Sequence, residues 1–293
     1  MKKIAIWIAA VFVLVACDKI EKPYKVEHPK ALISVDTPQF EVIDHALQKI
    51  LVEEYTGHLC SNCPQGHDDL AKIKLAMKDT LVLLALHAGV KNYVEPDPDF
   101  DFCDKGFISD FRTAAGNQYA TDFEISMMPR AVFNRTRIND SYGQSRPNWK
   151  TILGDMPRKP AEQGLQIAPV WNEAGDTLFV FVNATLFADT KQTMRLTVLM
   201  SEDSIIAPQK NETPSIGSVP AICDYVHHHM LRANISPIDG TTFNAVSAGE
   251  SAIFAYALAW SPVWKKNECN IIAFLSDAET HEVLQVEECK IKE

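Results

Sequence analysis

EEYTGHLCSNCPQGH, residues 53–67, sets two cysteines between a turn glycine and a proline. Ahead of them, "KILVEEYTG" (49–57) is a short apolar run closed by a glycine, the pattern of a buried strand. Behind them, "CPQGHDDLAKIKLAMKD" (63–79) brings Leu70, Ile73 and Met77 round at helical spacing, with acids in its first turn to suit the helix dipole. "TLVLLALHAG" (80–89) is a near-continuous apolar run of strand length, which marks a parallel strand buried on both faces. Cys60 and Cys63 therefore fall at a strand-to-helix turn.

The pattern of alternating strand and helix continues to about residue 161. "VKNYVEPDPDFDFCDKG" (90–106) reads as loop, "FISDFRTAAGNQYATDF" (107–123) as helix, "MPRAVFNR" (128–135) as strand, and 147–161 as a short helix followed by a linker. Such alternation implies a sheet with helices on its faces. Beyond it the character changes. "LQIAPVWNEAGDTLFVFVNATLF" (165–187) holds two strand-like runs around a turn, and five further strand-like runs follow, including "CDYVHHHMLRANI" (223–235) and "CNIIAFLSDA" (269–278). About seven strands without a helix predict a β-sandwich of immunoglobulin-like type. The expected fold class is α/β plus all-β, with domains at 46–161 and 162–293.

The N-terminus carries its own signal. Met1-Lys2-Lys3 precedes the apolar stretch Ile4–Val15, which has the length of a signal-peptide core and is short for a membrane span. It ends in Leu14-Val15-Ala16-Cys17, a lipobox. The Cys17 thiol takes up diacylglycerol, residues 1–16 are removed, and an added N-acyl chain brings the anchor past the two-chain threshold for stable attachment. Residues 17–45, rich in Lys, Glu and Pro, read as a polar tether. Loss of Lys2 and Lys3 takes the net charge from −10 to −12, which, with no basic run interleaved with aromatics, excludes nucleic acid as a partner. Of seven cysteines, removing Cys17 leaves an even six, and export permits disulfides.

Three chemistries suit Cys60-x-x-Cys63. A structural disulfide closes a tiny loop and removes little unfolded-state entropy. A metal site lacks a second cysteine pair, although His67, four residues after Cys63, completes a conceivable copper set of Cys60, Cys63 and His67. A redox centre explains most of the context: a helix N-terminus favours the Cys60 thiolate, Cys63 can resolve the mixed disulfide, and Pro64 is tolerated near the helix start. His227-His228-His229 lies in a predicted strand, where adjacent side chains point to opposite faces, so a structural role is expected. Cys269 and Cys289 flank a predicted hairpin and are candidates for a cross-strand bond, while Cys103 and Cys223 have no predictable partner. No P-loop, G-x-S-x-G or HExxH occurs, and no cofactor is expected.

At these residues the chain resembles the thioredoxin superfamily. The resemblance implies that Glu54, six residues before Cys60, is a buried acid handling the proton of the second cysteine. It also implies that Met128-Pro129 is a cis-proline loop facing the disulfide, with Pro129 positioning the substrate. "EEYTGHLCSNCPQGH", "CDYVHHHMLR" and "NIIAFLSDAETHEVLQVEE", with the lipobox, further resemble the 28-kDa outer-membrane lipoprotein family of Bacteroidetes-type bacteria. That resemblance implies a thioredoxin-like domain followed by a β-sandwich, lipid-anchored in the outer membrane, and it implies little about chemistry; the exchange reading of Cys60 and Cys63 brings exported cysteine-containing proteins as the expected partners. A non-catalytic adhesion or scaffold lipoprotein and a copper-handling protein are the alternatives.

Overall fold

The structure, a computed structural model, describes residues 35–100, 102–104 and 106–292. The leader over 1–16, Cys17 and the first part of the tether lie outside the described residues.

Strand β1 (Ile50–Thr56) is buried along its whole length. Its alternating side chains feed two cores, as a strand covered on both faces requires. Leu51 and Tyr55 join one core, while Ile50 and Val52 join the other. Helix α1 (Cys63–Met77) follows with a proline in its first turn and lays Leu70, Ile73 and Met77 on the second core. It starts at Cys63, so Asp68 and Asp69 fall in its second turn, and the expected first-turn acids are absent. Strand β2 (Leu81–His87) pairs with β1 in parallel, from Ile50↔Leu81 to Thr56↔His87.

A one-turn helix, α2 (Lys91–Val94), leads through a loop to α3 (Ala114–Asp122). Helix α3 is shorter than its sequence pattern because Thr113 caps it, its Oγ1 accepting from the Gly116 amide at 3.0 Å. Strand β3 (Arg130–Phe133) then pairs antiparallel with β1, and β4 (Gln144–Ser145) with β3. Helix α4 (Trp149–Asp155) returns under the sheet beside α1, burying Trp149 and Leu153.

The second half is almost all strand: β5 (Gln163–Trp171), β6 (Thr177–Leu186), β7 (Met194–Glu202), β8 (Ile205–Ile206), β9 (Gln209–Lys210), β10 (Ala221–Ile222), β11 (Val226–His227), β12 (Met230–Asn234), β13 (Thr241–Phe243), β14 (Ser251–Ala259), β15 (Cys269–Asp277) and β16 (Val283–Lys290). Strands from both halves share one nine-stranded sheet, in the order β16-β15-β7-β12-β2-β1-β3-β4 with β13 on β7. The seam is β12 on β2, in parallel at Met230↔Ala85. A separate three-stranded sheet, β14-β6-β5, covers one end of the large sheet, and Val180 and Val182 of β6 pack with Val198 of β7 and Ile271 of β15. The opposite face of β7 and β15 shares its core with α3 and β1. The result is a mixed α/β fold, mostly sheet with few helices.

Two sequence expectations are corrected. "CDYVHHHMLRANI" is not one strand: His229 takes a positive φ of 56° and breaks it into β11 and β12. Cys269 and Cys289 are free thiols. The β15–β16 register sets Cys289 opposite Ile271, so the two cysteines are diagonal neighbours, beyond disulfide reach.

Candidate functional site

At the end of β1 the chain turns through Gly57 and Cys60 to the start of α1. The Cys60 amide donates to the Gly57 carbonyl at 3.0 Å and the Cys63 amide to the Cys60 carbonyl at 3.2 Å. Gly57 is required here, since a Cβ would lie 2.2 Å from the Tyr93 carbonyl oxygen. Cys60 and Cys63 are bonded to each other with Cα atoms 5.4 Å apart. They are 3% and 0% exposed. Across the sheet Arg130 sits opposite Tyr55, so buried Pro129, which follows a cis Met128–Pro129 bond, stands level with Thr56 at this same end of β1.

Glu53 and Glu54 point to opposite faces and meet different fates. Glu53 accepts two hydrogen bonds from Arg135, at 2.9 Å from Nε and 2.6 Å from Nη2, and the guanidinium also lies over the Tyr119, Phe123 and Phe274 rings. Glu54 is 6% exposed and its Oε1 has no hydrogen-bond partner. It faces Gly66, one turn into α1, where a Cβ would approach Oε1 to 2.9 Å. Burial, reinforced by Asp69, holds its carboxyl well above the usual carboxylate range, because nothing offsets the lost hydration of the charge.

His67 stacks one turn beyond Cys63 on the same helix face. Its Nε2 is 2.8 Å from Thr56 Oγ1 and its Nδ1 is 2.7 Å from the Tyr225 hydroxyl. Burial, with the neighbouring His229 and His228, pushes it down to about 4. Its 3.7 Å approach to Glu54 Oε1 therefore sets a neutral ring beside a carboxyl whose charge burial disfavours, and it is not an ion pair. Glu54, His67, Tyr225, His228 and His229 line a small cavity of about 90 Å³.

The disulfide is covered by the β9–β10 hairpin from the second half of the chain. Gln209 is fully buried, and its Nε2 donates to the carbonyls of Gly57 and Cys60 at 3.2 and 3.0 Å. The Lys210 amide donates to the His58 carbonyl at 2.8 Å and the Glu212 amide to the Ser61 carbonyl at 3.1 Å. Ser61 Oγ donates to Glu212 Oε2 at 2.8 Å. A second disulfide, Cys103–Cys223, ties the end of this hairpin to the loop after α2. Cys103, Phe107, Ala221, Leu59 and Phe100 pack around it.

Beside the disulfide turn, His58, His87 and His227 surround the ring of Phe111 at centroid distances of 6.0, 5.1 and 5.5 Å. Burial lowers all three, His227 to about 3, so each ring is neutral at pH 7. The histidine tract thus splits: His227 is buried in this aromatic cage and His228 is exposed.

Sequence reading had singled out Cys60, Cys63, Glu54, Pro129 and His67, and all five gather at the end of β1 and the start of α1. The proposed copper set does not converge, because the two cysteines bond each other and both ring nitrogens of His67 are engaged. Among the described residues no three His, Cys, Asp or Glu side chains are placed to hold a metal ion. Gln209, Tyr225 and the Cys103–Cys223 bond were missed. Only the even cysteine count hinted at the last.

The family model for outer membrane protein Omp28 matches residues 116–293, more than half of the chain and none of the Cys60–Cys63 turn. One similar solved structure is a domain of the outer membrane lipoprotein Omp28 from Porphyromonas gingivalis, at 20% identity over 45% of this chain and 89% of that one, with a TM-score of 0.33. Another is a protein from Agrobacterium tumefaciens, at 13% identity over 87% of this chain and 97% of that one, with a TM-score of 0.46. Comparison with curated proteins finds no match.

Proposed function

The chain belongs to the Omp28 family of outer membrane proteins, and from that premise we propose a lipid-anchored envelope protein with a thioredoxin-like thiol–disulfide exchange site. Its place is the outer membrane. No helix among the described residues is long and apolar enough to cross a membrane, and in this reading Cys17 carries the lipid anchor. Residues 46–161 form the thioredoxin-like domain. Supporting this are the strand order β2-β1-β3-β4, the parallel β1–β2 pair joined through α1, and the antiparallel β3 and β4. Residues 162–293 form an immunoglobulin-like sandwich, a reading supported by the packing of β6 on β7 and β15.

The observation that carries the exchange reading is a cysteine pair at a helix start with an unpartnered, buried carboxyl one turn below it. In the reduced protein, the Cys60 thiolate attacks one sulfur of a substrate disulfide. The substrate's other sulfur leaves as a thiolate, and Cys60 is held in a mixed disulfide. Once Glu54 has released its own proton to water, its carboxylate takes the Cys63 proton, and the Cys63 thiolate attacks Cys60. The Cys60–Cys63 bond reforms and the substrate departs as a dithiol, reduced by two electrons. Pro129 holds the substrate strand beside the pair. Exported cysteine-containing proteins are the substrate class.

The test is insulin reduction by the full chain with dithiothreitol as electron donor, together with Cys63→Ser expressed in the producing bacterium. Expected are turnover by the wild type and mixed disulfides trapped on Cys60 of the variant. No turnover and no adduct overturns the reading. The near-complete burial of Cys60 and Cys63 favours the second reading, a scaffold lipoprotein whose disulfide never turns over.

A further inference from the structure

The two disulfides differ in access in a way opposite to their sequence signatures. The Cys60–Cys63 pair, which has redox spacing, is sealed. Cys223, whose partner is 120 residues away in sequence, is exposed, while Cys103 is 7% exposed. Exchange requires collinear approach of a thiolate to a sulfur atom, so access decides which bond reacts first.

The cover over Cys60–Cys63 is thin. Its strands β9 and β10 pair over only two residues each, Lys210↔Ala221 and Gln209↔Ile222. It is held down by Gln209 on the Gly57 and Cys60 carbonyls, by the backbone bonds of Lys210 and Glu212 to His58 and Ser61, by the Ser61–Glu212 side-chain bond, and by the small apolar cluster around Cys103. Its base continues through the Ala207–Tyr225 backbone bond into the equally short β8–β11 pairing. Two-residue ladders such as β9–β10 and β8–β11 belong to the low-stability end of a fold, where local opening is easiest. The Cys103–Cys223 bond adds a covalent tie, fixing the open end of the hairpin, next to the Gln209↔Ile222 pair, to a loop of the first half.

We propose that Cys103–Cys223 is a reducible latch, and that Cys223 is the sulfur on which an external dithiol reductant acts to uncover Cys60–Cys63. A reductant thiolate attacks Cys223 Sγ, the Cys103–Cys223 bond breaks, and Cys103 leaves as a thiolate that takes a proton from solvent. The reductant's second thiol attacks the mixed disulfide and frees Cys223. The latch gains two electrons and the reductant leaves as a disulfide. The hairpin then lifts and the Cys60 carbonyl loses its Gln209 donor. The latch as an access device stands on the geometry. Its meaning as regulation of exchange rests on the reading given above.

The test follows reduction of the full-length chain by dithiothreitol, with alkylation at timed intervals and peptide mass spectrometry. Cys103 and Cys223 are expected to become alkylated before Cys60 and Cys63. In the Cys103→Ser/Cys223→Ser chain, Cys60–Cys63 is expected to be reduced at least tenfold faster than in the wild type. Gln209→Ala, which keeps both disulfides, is expected to give a smaller acceleration, and it guards against misfolding of the double variant. Reduction of Cys60–Cys63 first, or at the same rate in all three chains, overturns the latch. Insulin reduction separates the two ideas. An unlatched chain that is quickly reduced yet never turns over insulin retains the latch and loses the exchange reading. Equal turnover by latched and unlatched chains, with equal reduction rates, does the reverse.

Discussion

Replacing Glu54 by Gln tests the electrostatic centre of the site with a signature that packing alone does not produce. In the folded chain the carboxyl has no hydrogen-bond partner at Oε1, its neighbour His67 is neutral, and Asp69 adds like charge. Its folded pKa therefore lies well above the unfolded value of about 4.3. The sign follows directly. The folded state holds this proton more tightly, so stability is fully present below about pH 4.3 and is lost as pH rises towards the folded pKa. The loss approaches about 1.4 kcal/mol per pH unit for one proton. Gln fills the same space and cannot ionise. Urea unfolding of both chains, followed by tryptophan fluorescence between pH 4 and 8, isolates the term, since every other titrating group is common to the pair. Whatever fixed cost the buried amide brings, the stability of Glu54→Gln minus that of the wild type should climb with pH, steeply just above pH 5. Parallel curves would refute the assignment of Glu54 as a buried, unpaired acid.

Other perturbations have equally definite outcomes. Arg135→Ala strands a fully buried Glu53 and should cost about 3–5 kcal/mol, roughly 10 °C in Tm for a chain of this size; calorimetry checks this, and Glu53→Leu with Arg135→Leu should recover most of it. Trp149→Ala empties the space under α1 and removes the Nε1 bond to the Gln144 carbonyl, and should lower the unfolding free energy by about 3–5 kcal/mol in a denaturant titration. Three buried histidines, His58, His87 and His227, and the partly buried His67 have folded pKa values below the ordinary 6.5, so the stability they contribute is complete above pH 6.5 and is lost as pH falls. The loss runs down to about pH 4 for His67 and about pH 3 for His227. Urea midpoints should drop steeply from pH 6.5 to 5, and His227→Phe should flatten that fall.

The first half was legible because its signals are local. A strand ending in Gly57, a helix opening at Cys63 and a doubly buried β2 each leave a mark within a dozen residues. The second half yielded its long strands for the same reason: β6, β7 and β15 each contain a local apolar run, Leu178–Val182, Val198–Met200 and Ile271–Leu275. What stayed hidden depends on contacts distant in sequence. Strand β12 joins β2 at a single ladder pair, Met230↔Ala85, which no pattern in either segment announces. The cover over Cys60 is made from two-residue strands in a stretch rich in Pro and Ser, below the length at which periodicity carries information. Gln209 is an ordinary polar residue until its amide meets the Gly57 and Cys60 carbonyls. The pairing of Cys103 with Cys223 could not be chosen from a count of six.

Two adjacent glutamates show how the fold separates structure from chemistry. A strand buried on both faces cannot hide either Glu53 or Glu54 in solvent, so each charge must be answered or suppressed. Glu53 is answered by the two-pronged guanidinium of Arg135, itself set among three aromatic rings, and this side of the sheet is continuous with the core that joins the two halves. Glu54 is suppressed: no cation reaches it, Gly66 leaves room for it, and burial with Asp69 nearby disfavours its charge under the helix that begins at Cys63. A protein gains nothing in stability from such a group, because an apolar residue of the same size would avoid the cost of burying a carboxyl. The unpaired acid is therefore the stronger pointer to chemistry of the two, and its place one helical turn below the cysteine pair says which chemistry to assay.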